Sequence, residues 1–377
     1  MKTDVLVLGG GLAGMAAAYE TASRGLSVTI VDESRTLGGQ LKQQTQVLNN
    51  MPAPYENWRG YELAAHWVKK LQDVPIDYLL GHSLIGLYAD GRFGLSNGEQ
   101  LVAISADHTI VATGAAECPA AFPGWTLPGI MTIGAAQILI NREWVYPGKT
   151  GLILGSSDFA LEMAIQMNEL EIKISAIVEK SEQITCQDPT LIHKVNRLNI
   201  PIYLNTGVLQ ARGNGRVESV TIADRGNDQL SDQYQVDFIA IDAGRHPILE
   251  PFTMLSCDLL YDDRLGGWLP GYSHHLETSE KGVFVAGNAG GITNQAGILL
   301  SGRIAGLSVA ERVHKLTERD NEEKQALWET LCRVESAPSL RIWEARVKHM
   351  EKFMNHRLPL DPQQWSLVSR EGRLYRG

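Results

Sequence analysis

The sequence has 377 residues, of which 44% are hydrophobic and 20% are charged, and its formal net charge is −9 at pH 7. This length and composition are typical of a globular protein with two compact domains and large cores. The negative charge argues against nucleic acid as a partner, because binding to its phosphates requires a basic patch.

The first 32 residues have the pattern of a dinucleotide-binding unit. A buried strand is predicted at 4–8, and it ends at residues 9–14, which match the motif G-x-G-x-x-G. A helix rich in small residues follows at 15–24, and a second apolar strand at 28–31 ends at Asp32. Strand, tight turn, helix, strand and terminal acid together predict a bound nucleotide rather than a turn that only packs the unit.

Each glycine of this motif has its own physical role. Gly9 allows the tight turn, Gly11 lets the backbone approach a pyrophosphate, and Gly14 allows the helix to pack closely on the strand. The N-terminus of the helix that follows offers unpaired N–H groups and the positive end of its dipole to phosphate.

Other candidate cofactor residues follow before residue 115. Asp32 is placed to accept hydrogen bonds from a ribose hydroxyl, and Glu33 is the neighbouring candidate. Gly39 and Gln40 lie in the segment LGGQL, whose glycine backbone can lie against a flat ring or a pyrophosphate. Residues 76–114 are predicted to form a series of short strands with antiparallel turns, and the last strand ends in the letters ATG.

Residues 149–180 repeat the strand, turn, helix, strand pattern in a degenerate form. The turn begins at Gly155, but Ser157 stands at the place of the second glycine, and Asp158 adds negative charge beside the phosphate path. Both changes weaken dinucleotide binding. The second strand ends at Glu179, which suits an adenosine ribose. NAD(H), a mononucleotide such as ATP or AMP, and no ligand all remain open for this domain.

The cysteines and histidines limit the chemistry further. Cys118, Cys186, Cys257 and Cys332 are isolated, whereas dithiol exchange needs two close thiols and an iron–sulfur cluster needs about four. The dispersed histidines predict no metal site. The sequence has no run of 18 apolar residues and no basic, apolar leader, so we expect no transmembrane segment and no signal peptide. With its isolated cysteines, the chain is predicted to be soluble and cytoplasmic.

Three motifs resemble those of a known group of flavoproteins. The G-x-G-x-x-G start, ATG at 112–114 and GVFVAGNAGG at 282–291 resemble flavoproteins with two dinucleotide-binding domains, such as thioredoxin reductase and glutathione reductase. Residues 112–137 resemble more specifically the FAD-binding subunit of dye-linked dehydrogenase complexes for proline, hydroxyproline and opines. Hydrogen cyanide synthase and heteromeric sarcosine oxidase share this stretch. The resemblance covers roughly residues 1–315.

The resemblance implies FAD as the first nucleotide and identifies the residues that would bind it. These are Gly9, Gly11, Leu12, Ala13, Gly14, Asp32, Glu33, Gly39, Gln40, Ala112, Thr113, Gly114, Gly287, Asn288, Gln295 and Ala296. Where the family has a Gly–Asp pair, this chain has Gly287 and Asn288, and an amide can still donate and accept hydrogen bonds. The helix that begins at Gln295 would direct N–H groups at the flavin and stabilise the negative charge of its reduced form.

These features predict an α/β fold with two Rossmann-like dinucleotide-binding domains, the second inserted in the first, and a C-terminal helical tail. The FAD-binding domain is predicted at 1–115 and 245–315, and the degenerate domain at 116–244. The tail, 316–377, is a candidate interface with other polypeptides of a complex. Its three tryptophans either form part of a docking surface or fill the chain's own core.

The leading functional hypothesis is the FAD-containing subunit of a multi-subunit dehydrogenase for an amino acid (proline or hydroxyproline) or an opine. Electrons would pass between the substrate-oxidising site of a partner and an acceptor, through a flavin or iron–sulfur cluster on another polypeptide. The expected partners are an amine- or amino-acid-oxidising flavoprotein and a small iron–sulfur subunit, which could bring the chain to a membrane surface. No catalytic residue is identified. The alternatives are a self-contained NAD(P)H-dependent flavin oxidoreductase and an assembly scaffold with an inert flavin.

Overall fold

The computed structural model describes residues 1–336 and 341–365, and their backbone contacts form two compact units. The first unit consists of residues 1–116 and the described residues from 246 onward. The second unit consists of residues 117–245 and is therefore inserted in the sequence of the first.

The helices and strands follow one another in three segments of the chain. The first segment contains β1 (Lys2–Leu8), α1 (Leu12–Ala22), β2 (Val28–Asp32), α2 (Gly60–Lys70), β3 (Ile76–Leu80), β4 (Ser83–Leu87), β5 (Phe93–Ser96), β6 (Leu101–Val111) and β7 (Ala115–Glu117). The second contains β8 (Ile130–Thr132), α3 (Ile133–Asn141), β9 (Thr150–Leu154), α4 (Asp158–Glu169), β10 (Lys173–Val178), α5 (Pro189–Arg197), β11 (Ile202–Tyr203), β12 (Thr206–Arg212), β13 (Ser219–Asp224), β14 (Asn227–Gln235), β15 (Phe238–Ile241) and β16 (Arg245–Pro247). The third contains α6 (Glu250–Met254), β17 (Leu259–Asp262), β18 (Gly267–Pro270), β19 (Val283–Val285), α7 (Gln295–Arg312), α8 (Glu318–Ser336) and α9 (Arg341–Met354).

The first unit is built on a seven-stranded sheet with the order β3-β2-β1-β6-β5-β4, in which β19 also pairs with β6. Strands β3, β2, β1 and β6 pair with one another in parallel, and β19 pairs in parallel with β6. The β4–β5 and β5–β6 pairs are antiparallel. The eleven-residue strand β6 joins both parts, because residues 101–104 pair with β5 and residues 105–111 pair with β1. The last two of the short strands predicted within residues 76–114 therefore form a single strand in the structure.

Helices α1 and α7 pack closely against each other in the first unit. Residues 12–18 of α1 are all buried, and most of α7 is buried as well. Gly302 and Gly306 of α7 face the backbone of Ala13 and Ala17, and a side chain at either glycine would collide with it. These two glycines of α7, facing two alanines of α1, therefore let the helices approach each other.

The second unit contains a five-stranded parallel sheet with the order β11-β10-β9-β15-β8. Apolar side chains from α3, α4 and α5 pack with those of the sheet in one core. An antiparallel sheet of β12, β13 and β14 packs in a second apolar cluster of this unit.

The tail of the chain belongs to the core of the first unit. Trp328 of α8, Trp343 of α9 and Trp365 are all buried in that core. Trp343 and Trp365 stack at 5.8 Å between ring centroids, and Trp328 meets the Trp365 ring edge-on at 4.9 Å. These tryptophans therefore fill the chain's own core and do not form an exposed docking surface.

Among the residues described by the structure, no helix combines the length and the apolar character needed to cross a bilayer.

Candidate cofactor site

The glycine-rich turn joins β1 to α1 at the carboxyl end of β1. Gly9 has φ +106°, and its N–H donates to the carbonyl of Val31 at 2.8 Å. Helix α1 begins at Leu12, its N-cap is Gly11, and no side chain caps it. The first N–H groups of α1 are thus available for an anionic ligand, which the helix dipole favours at this end.

Gly11 and Gly14 differ in what surrounds them. A Cβ at Gly14 would overlap the carbonyl oxygen of Gly9 and lie 3.3 Å from a methyl of Val7, so the packing of helix on strand requires glycine there. A Cβ at Gly11 would meet only the Cα of Gly39, at 4.0 Å. The described protein atoms leave open space beside Gly11, where a ligand can approach the backbone.

The acid at the end of β2 is fixed beside the same turn. One oxygen of Asp32 accepts the N–H of Gly10 at 2.5 Å, and the other accepts the N–H of Ser34 at 2.7 Å. Asp32 is partly exposed, so its carboxylate can still reach a ligand. The neighbouring Glu33 is exposed. Of the two predicted acids, it is Asp32 that contacts the turn.

The segment after β2 folds back onto the glycine-rich turn. The N–H of Gly38 donates to the carbonyl of Gly10 at 2.9 Å, and residues 39–43 form a short 3-10 helix. A Cβ at Gly39 would lie 2.9 Å from the Cα of Gly11. Gln40 is exposed, and its side-chain oxygen accepts a hydrogen bond from Gln43. The structure thus brings Gly39, one of the residues predicted to line the cofactor, next to Gly11.

Residues 112–114 follow β6 on the other side of the turn. Ala112 donates its N–H to the carbonyl of Leu8 at 2.8 Å. The hydroxyl of Thr113 is buried and has no hydrogen-bond partner in the part of the chain that is described. Gly114 has φ +79°, and a Cβ there would meet no atom within 4 Å. A buried, unpaired hydroxyl is costly without a partner, so Thr113 is a candidate ligand contact.

The loop between β19 and α7 completes the group. A Cβ at Gly287 would lie 2.8 Å from the Cβ of Ala13 and 3.6 Å from a methyl of Ile298, so this loop lies between the first turns of α1 and α7. Asn288 is buried, and its oxygen accepts the N–H of Thr293 at 2.9 Å. Asn294 caps α7 by accepting the N–H of Gly297 at 2.8 Å.

Gln295 and Ala296 are consequently the first residues of α7, as the sequence predicted. The N-termini of α1 and α7 and the residues after β2, β6 and β19 form one group within the first unit. A pyrophosphate and a flat ring are the kinds of ligand that the uncapped N-terminus of α1 and the glycine-lined surfaces beside it can hold.

The turn of the second unit repeats the backbone of the first. Gly155 has φ +114° and donates its N–H to the carbonyl of Val178 at 2.8 Å, as Gly9 does to Val31. The hydroxyl of Ser157 caps α4 by accepting the N–H of Ala160 at 3.3 Å, and it also bonds to Asp242. The N-terminus of α4, unlike that of α1, is therefore capped by the chain itself.

The acid of the second unit is covered by its own domain. Glu179 is only 3% exposed. It accepts hydrogen bonds from the hydroxyl of Ser156 at 2.6 Å, the N–H of Ser181 at 2.9 Å and the hydroxyl of Thr185 at 3.3 Å. Burial acts to raise the pKa of Glu179, but these hydrogen bonds outweigh it and hold the pKa below its usual value.

Residues 181–187 also close over the turn. Asp158 accepts the N–H of Gln187 at 2.6 Å, and the N–H of Cys186 donates to the carbonyl of Ser156 at 2.8 Å. Gly155, Ser157 and Glu179 thus lie together as predicted, but their polar groups are bonded within the domain. This arrangement does not fit an adenosine ribose at Glu179.

All four cysteines are free thiols. Burial raises the pKa of every one of them, and the pKa of Cys186 reaches about 12. Such thiols are poor nucleophiles at neutral pH, because the thiolate is the reactive form. In the two described ranges, no group of three or more His, Cys, Asp or Glu residues is arranged to hold a metal ion.

Several residues that support the loop before α7 were not indicated by the sequence. Arg346 and Glu335 of the tail are buried and contact this loop through Gly290 and Thr293. The sequence does contain one indication that Arg346 is buried. It follows Trp343 by three residues, which places it on the same, apolar face of a predicted helix. The partner of that arginine lies in another helix and could not be identified from spacing.

Comparison with known proteins places this geometry among flavoproteins. The sequence model of the pyridine nucleotide-disulphide oxidoreductase family matches residues 3–311. The HcnB subunit of hydrogen cyanide synthase from Pseudomonas protegens is 28% identical over 82% of this chain and 70% of its own length. An opine oxidase subunit from Rhizobium meliloti is 27% identical over 81% of this chain, which spans 62% of that relative. The alpha subunit of sarcosine oxidase from a Corynebacterium species is 24% identical over 82% of this chain and 32% of its own length.

Two solved structures share the fold. Thioredoxin reductase of T. acidophilum has a TM-score of 0.69 and 21% identity, covering 83% of this chain and 99% of its own. L-Proline dehydrogenase of P. horikoshii has a TM-score of 0.67 and 21% identity, covering 99% of this chain and 67% of its own. They confirm the predicted fold class, and the sequence matches confirm the resemblance to this group of flavoproteins.

Proposed function

Because the chain belongs to the pyridine nucleotide-disulphide oxidoreductase family and is an FAD-dependent oxidoreductase, we propose that its first unit holds FAD as one component of a dehydrogenase complex. The complex would oxidise an amino acid, such as proline or hydroxyproline, or an opine. The observation that carries the FAD assignment is the open space beside Gly11 at the uncapped N-terminus of α1.

The residues of the site suit the parts of FAD. The N–H groups of Leu12 and Ala13 would hold the pyrophosphate, since they lie at the positive end of α1. Asp32 would bind the adenosine ribose, and the unpaired hydroxyl of Thr113 would donate to the cofactor. Asn288 would supply an amide where an acid is usual in the family.

Bound FAD supplies the ability to accept two electrons and to release them one at a time. The N-terminus of α7 would stabilise negative charge at the flavin by directing its first N–H groups towards it. Among the residues predicted to bind FAD, Asp32 and Glu33 are the only acids. We therefore assign the proton transfer of substrate oxidation to a partner polypeptide.

Three relatives support this division of labour by their names. They are named as subunits of hydrogen cyanide synthase, opine oxidase and sarcosine oxidase. Electrons would then leave through a flavin or iron–sulfur cluster on another polypeptide. The expected partners are an amine- or amino-acid-oxidising flavoprotein and a small iron–sulfur protein.

The second unit, in this proposal, does not take NADH. Glu179 is buried under residues 181–187, and Ser157 caps the helix at which a pyrophosphate would bind. The same contacts disfavour ATP or AMP at this turn. A self-contained NAD(P)H-dependent reductase would need an open site here.

A dye-reduction assay tests the proposal directly. The chain would be purified alone and co-expressed with the proteins encoded beside it, with NADH, proline, hydroxyproline or opines as donors. We expect a yellow protein that releases FAD on denaturation and reduces the dye rapidly only with its partners and a substrate. Rapid turnover by the lone chain with NADH would establish the reductase instead. A partner complex that works equally well without FAD in this chain would indicate a scaffold.

A further inference from the structure

A buried ion pair joins the two helices of the tail. Glu335 of α8 and Arg346 of α9 are each 1% exposed. Arg346 donates from Nε to Oε2 of Glu335 at 2.8 Å and from Nη2 to Oε1 at 2.7 Å. Two charges removed from water need such bidentate geometry and further hydrogen bonds to offset their desolvation.

The glutamate of the pair holds the end of the loop before α7. The hydroxyl of Thr293 donates to Oε1 of Glu335 at 2.7 Å. One residue later, the side-chain N–H of Asn294 donates to the carbonyl of Val334 at 3.1 Å. Helix α8 thus binds the two residues that immediately precede α7.

The arginine of the pair holds the beginning of the same loop. Nη1 of Arg346 donates to the carbonyl of Gly290 at 3.1 Å and to the hydroxyl of Tyr272 at 2.8 Å. That hydroxyl donates in turn to the same Gly290 carbonyl at 2.7 Å. In the described part of the chain, each hydrogen bond that the two side chains make beyond their own pair goes to the loop or to Tyr272.

The loop passes this restraint to residues of the proposed FAD site. Thr293, which is bonded to Glu335, also donates its N–H to the side chain of Asn288. Asn294, which is bonded to Val334, caps α7 through Gly297. The orientation of Asn288 and the start of α7 therefore depend on contacts with the tail.

We propose that Glu335 and Arg346 are positioning residues for the flavin site, which fix the loop 288–294 so that Asn288 and the first turn of α7 face the cofactor. The tail lies beyond residue 311, where the match to the family ends. The chain thus uses a segment outside the part that defines its family to set the geometry of its cofactor site. The inference rests on the proposed FAD site in the first unit.

Two variants test this role at different strengths. Thr293→Val removes the hydroxyl that donates to Glu335 but keeps the side-chain volume and the ion pair. Glu335→Gln removes the charge opposite Arg346. Glu143→Gln is the matched control, because it breaks the half-exposed ion pair between Arg142 and Glu143 in the second unit.

The measurements are the Kd for FAD, the midpoint potential of the bound flavin and the Tm of the apoprotein. Apoprotein would be titrated with FAD and followed by quenching of flavin fluorescence. We expect Thr293→Val to weaken FAD binding about tenfold, because Asn288 and the first turn of α7 are then held less firmly in the orientation that the cofactor needs. The midpoint potential should shift with it, and the apoprotein Tm should also fall, because the buried Oε1 of Glu335 loses one hydrogen-bond partner. Glu335→Gln should weaken FAD binding further. Glu143→Gln should change neither the Kd for FAD nor the midpoint potential.

The outcomes separate this inference from the proposed function. A folded Thr293→Val protein with wild-type Kd and wild-type potential overturns the positioning role, even if Glu335→Gln fails to fold. A lower apoprotein Tm with an unchanged potential means that the pair only stabilises the tail, and it also overturns the inference. A wild-type chain that does not bind FAD contradicts the proposed function itself, and the inference with it.

Discussion

The change Gly11→Ala separates cofactor binding from folding. An alanine Cβ at this position has no described protein atom within 4 Å other than the Cα of Gly39, at 4.0 Å. Gly11 has φ −74° and ψ −173°, which any residue can adopt. Alanine is a poorer N-cap than glycine by roughly 0.5–1 kcal/mol, but it gains about 0.4–1 kcal/mol by restricting the unfolded chain. The stability of the apoprotein should therefore change by less than about 1 kcal/mol.

The effect on FAD should be much larger. The new methyl occupies the space through which a pyrophosphate approaches the N-terminus of α1, so at least one charge-assisted hydrogen bond is lost or lengthened. Such a bond contributes about 1.5–3 kcal/mol, which corresponds to roughly a ten- to hundredfold weaker Kd. The rise in Tm that FAD produces in the wild type should shrink accordingly, because ligand stabilisation depends on Kd.

Gly14→Ala provides the contrast. A Cβ there would overlap the carbonyl oxygen of Gly9, so the apoprotein itself should lose about 1–3 kcal/mol of stability. Urea unfolding of the two apoproteins and FAD titration by fluorescence measure both effects. If Gly11→Ala retains FAD with wild-type affinity, the turn at residues 9–14 does not hold the pyrophosphate and the assignment is wrong.

Three further predictions concern the thiols, the second unit and the pH dependence. Replacing all four cysteines with serine should leave flavin reduction by the native donor intact in the dye assay, and a specific loss from any one replacement would show that a thiol takes part. NADH should leave the FAD of the isolated chain oxidised over minutes in absorbance measurements, because Glu179 is covered; rapid bleaching would refute this. Burial lowers the pKa of His349 to about 4 from an ordinary value of 6.5, so the unfolded chain gains a proton below about pH 6.5 that the folded chain does not. Between about pH 7 and pH 5 this residue should lower the unfolding free energy by about 2 kcal/mol, and urea unfolding of His349→Gln should show that much less dependence on pH.

The sequence by itself determined the fold class and the candidate cofactor turn. Strand periodicity, the spacing of Gly9, Gly11 and Gly14, and an acid at the end of the next strand are local features. All of them lie within one unit of about 30 residues, so their contacts do not depend on distant parts of the chain. The structure accordingly shows a hydrogen bond between Asp32 and the turn. The degeneracy of the second turn could be recognised at Ser157 for the same reason.

Strand boundaries and burial required the tertiary structure. Residues 101–111 form one strand because its two halves pair with different neighbours, and no local signal encodes that pairing. The tail tryptophans could have been core or docking surface, and only their mutual contacts placed them in the core. Residues 181–187 cover Glu179 through hydrogen bonds that no strand or turn pattern specifies.

The tail shows the same limit most clearly. Glu335 and Arg346 are eleven residues apart in the sequence, in separate helices, and they contact a loop more than 40 residues earlier. Charged residues are usually solvated, and no local pattern in the sequence indicates that these two pair with each other. Packing of α8 and α9 on the first unit removes them from water, and the cost of burying unpaired charge then fixes their partners. The cofactor turn could be predicted from the sequence because its contacts are local. The contacts that hold the loop 288–294 could not, because they depend on distant segments of the chain.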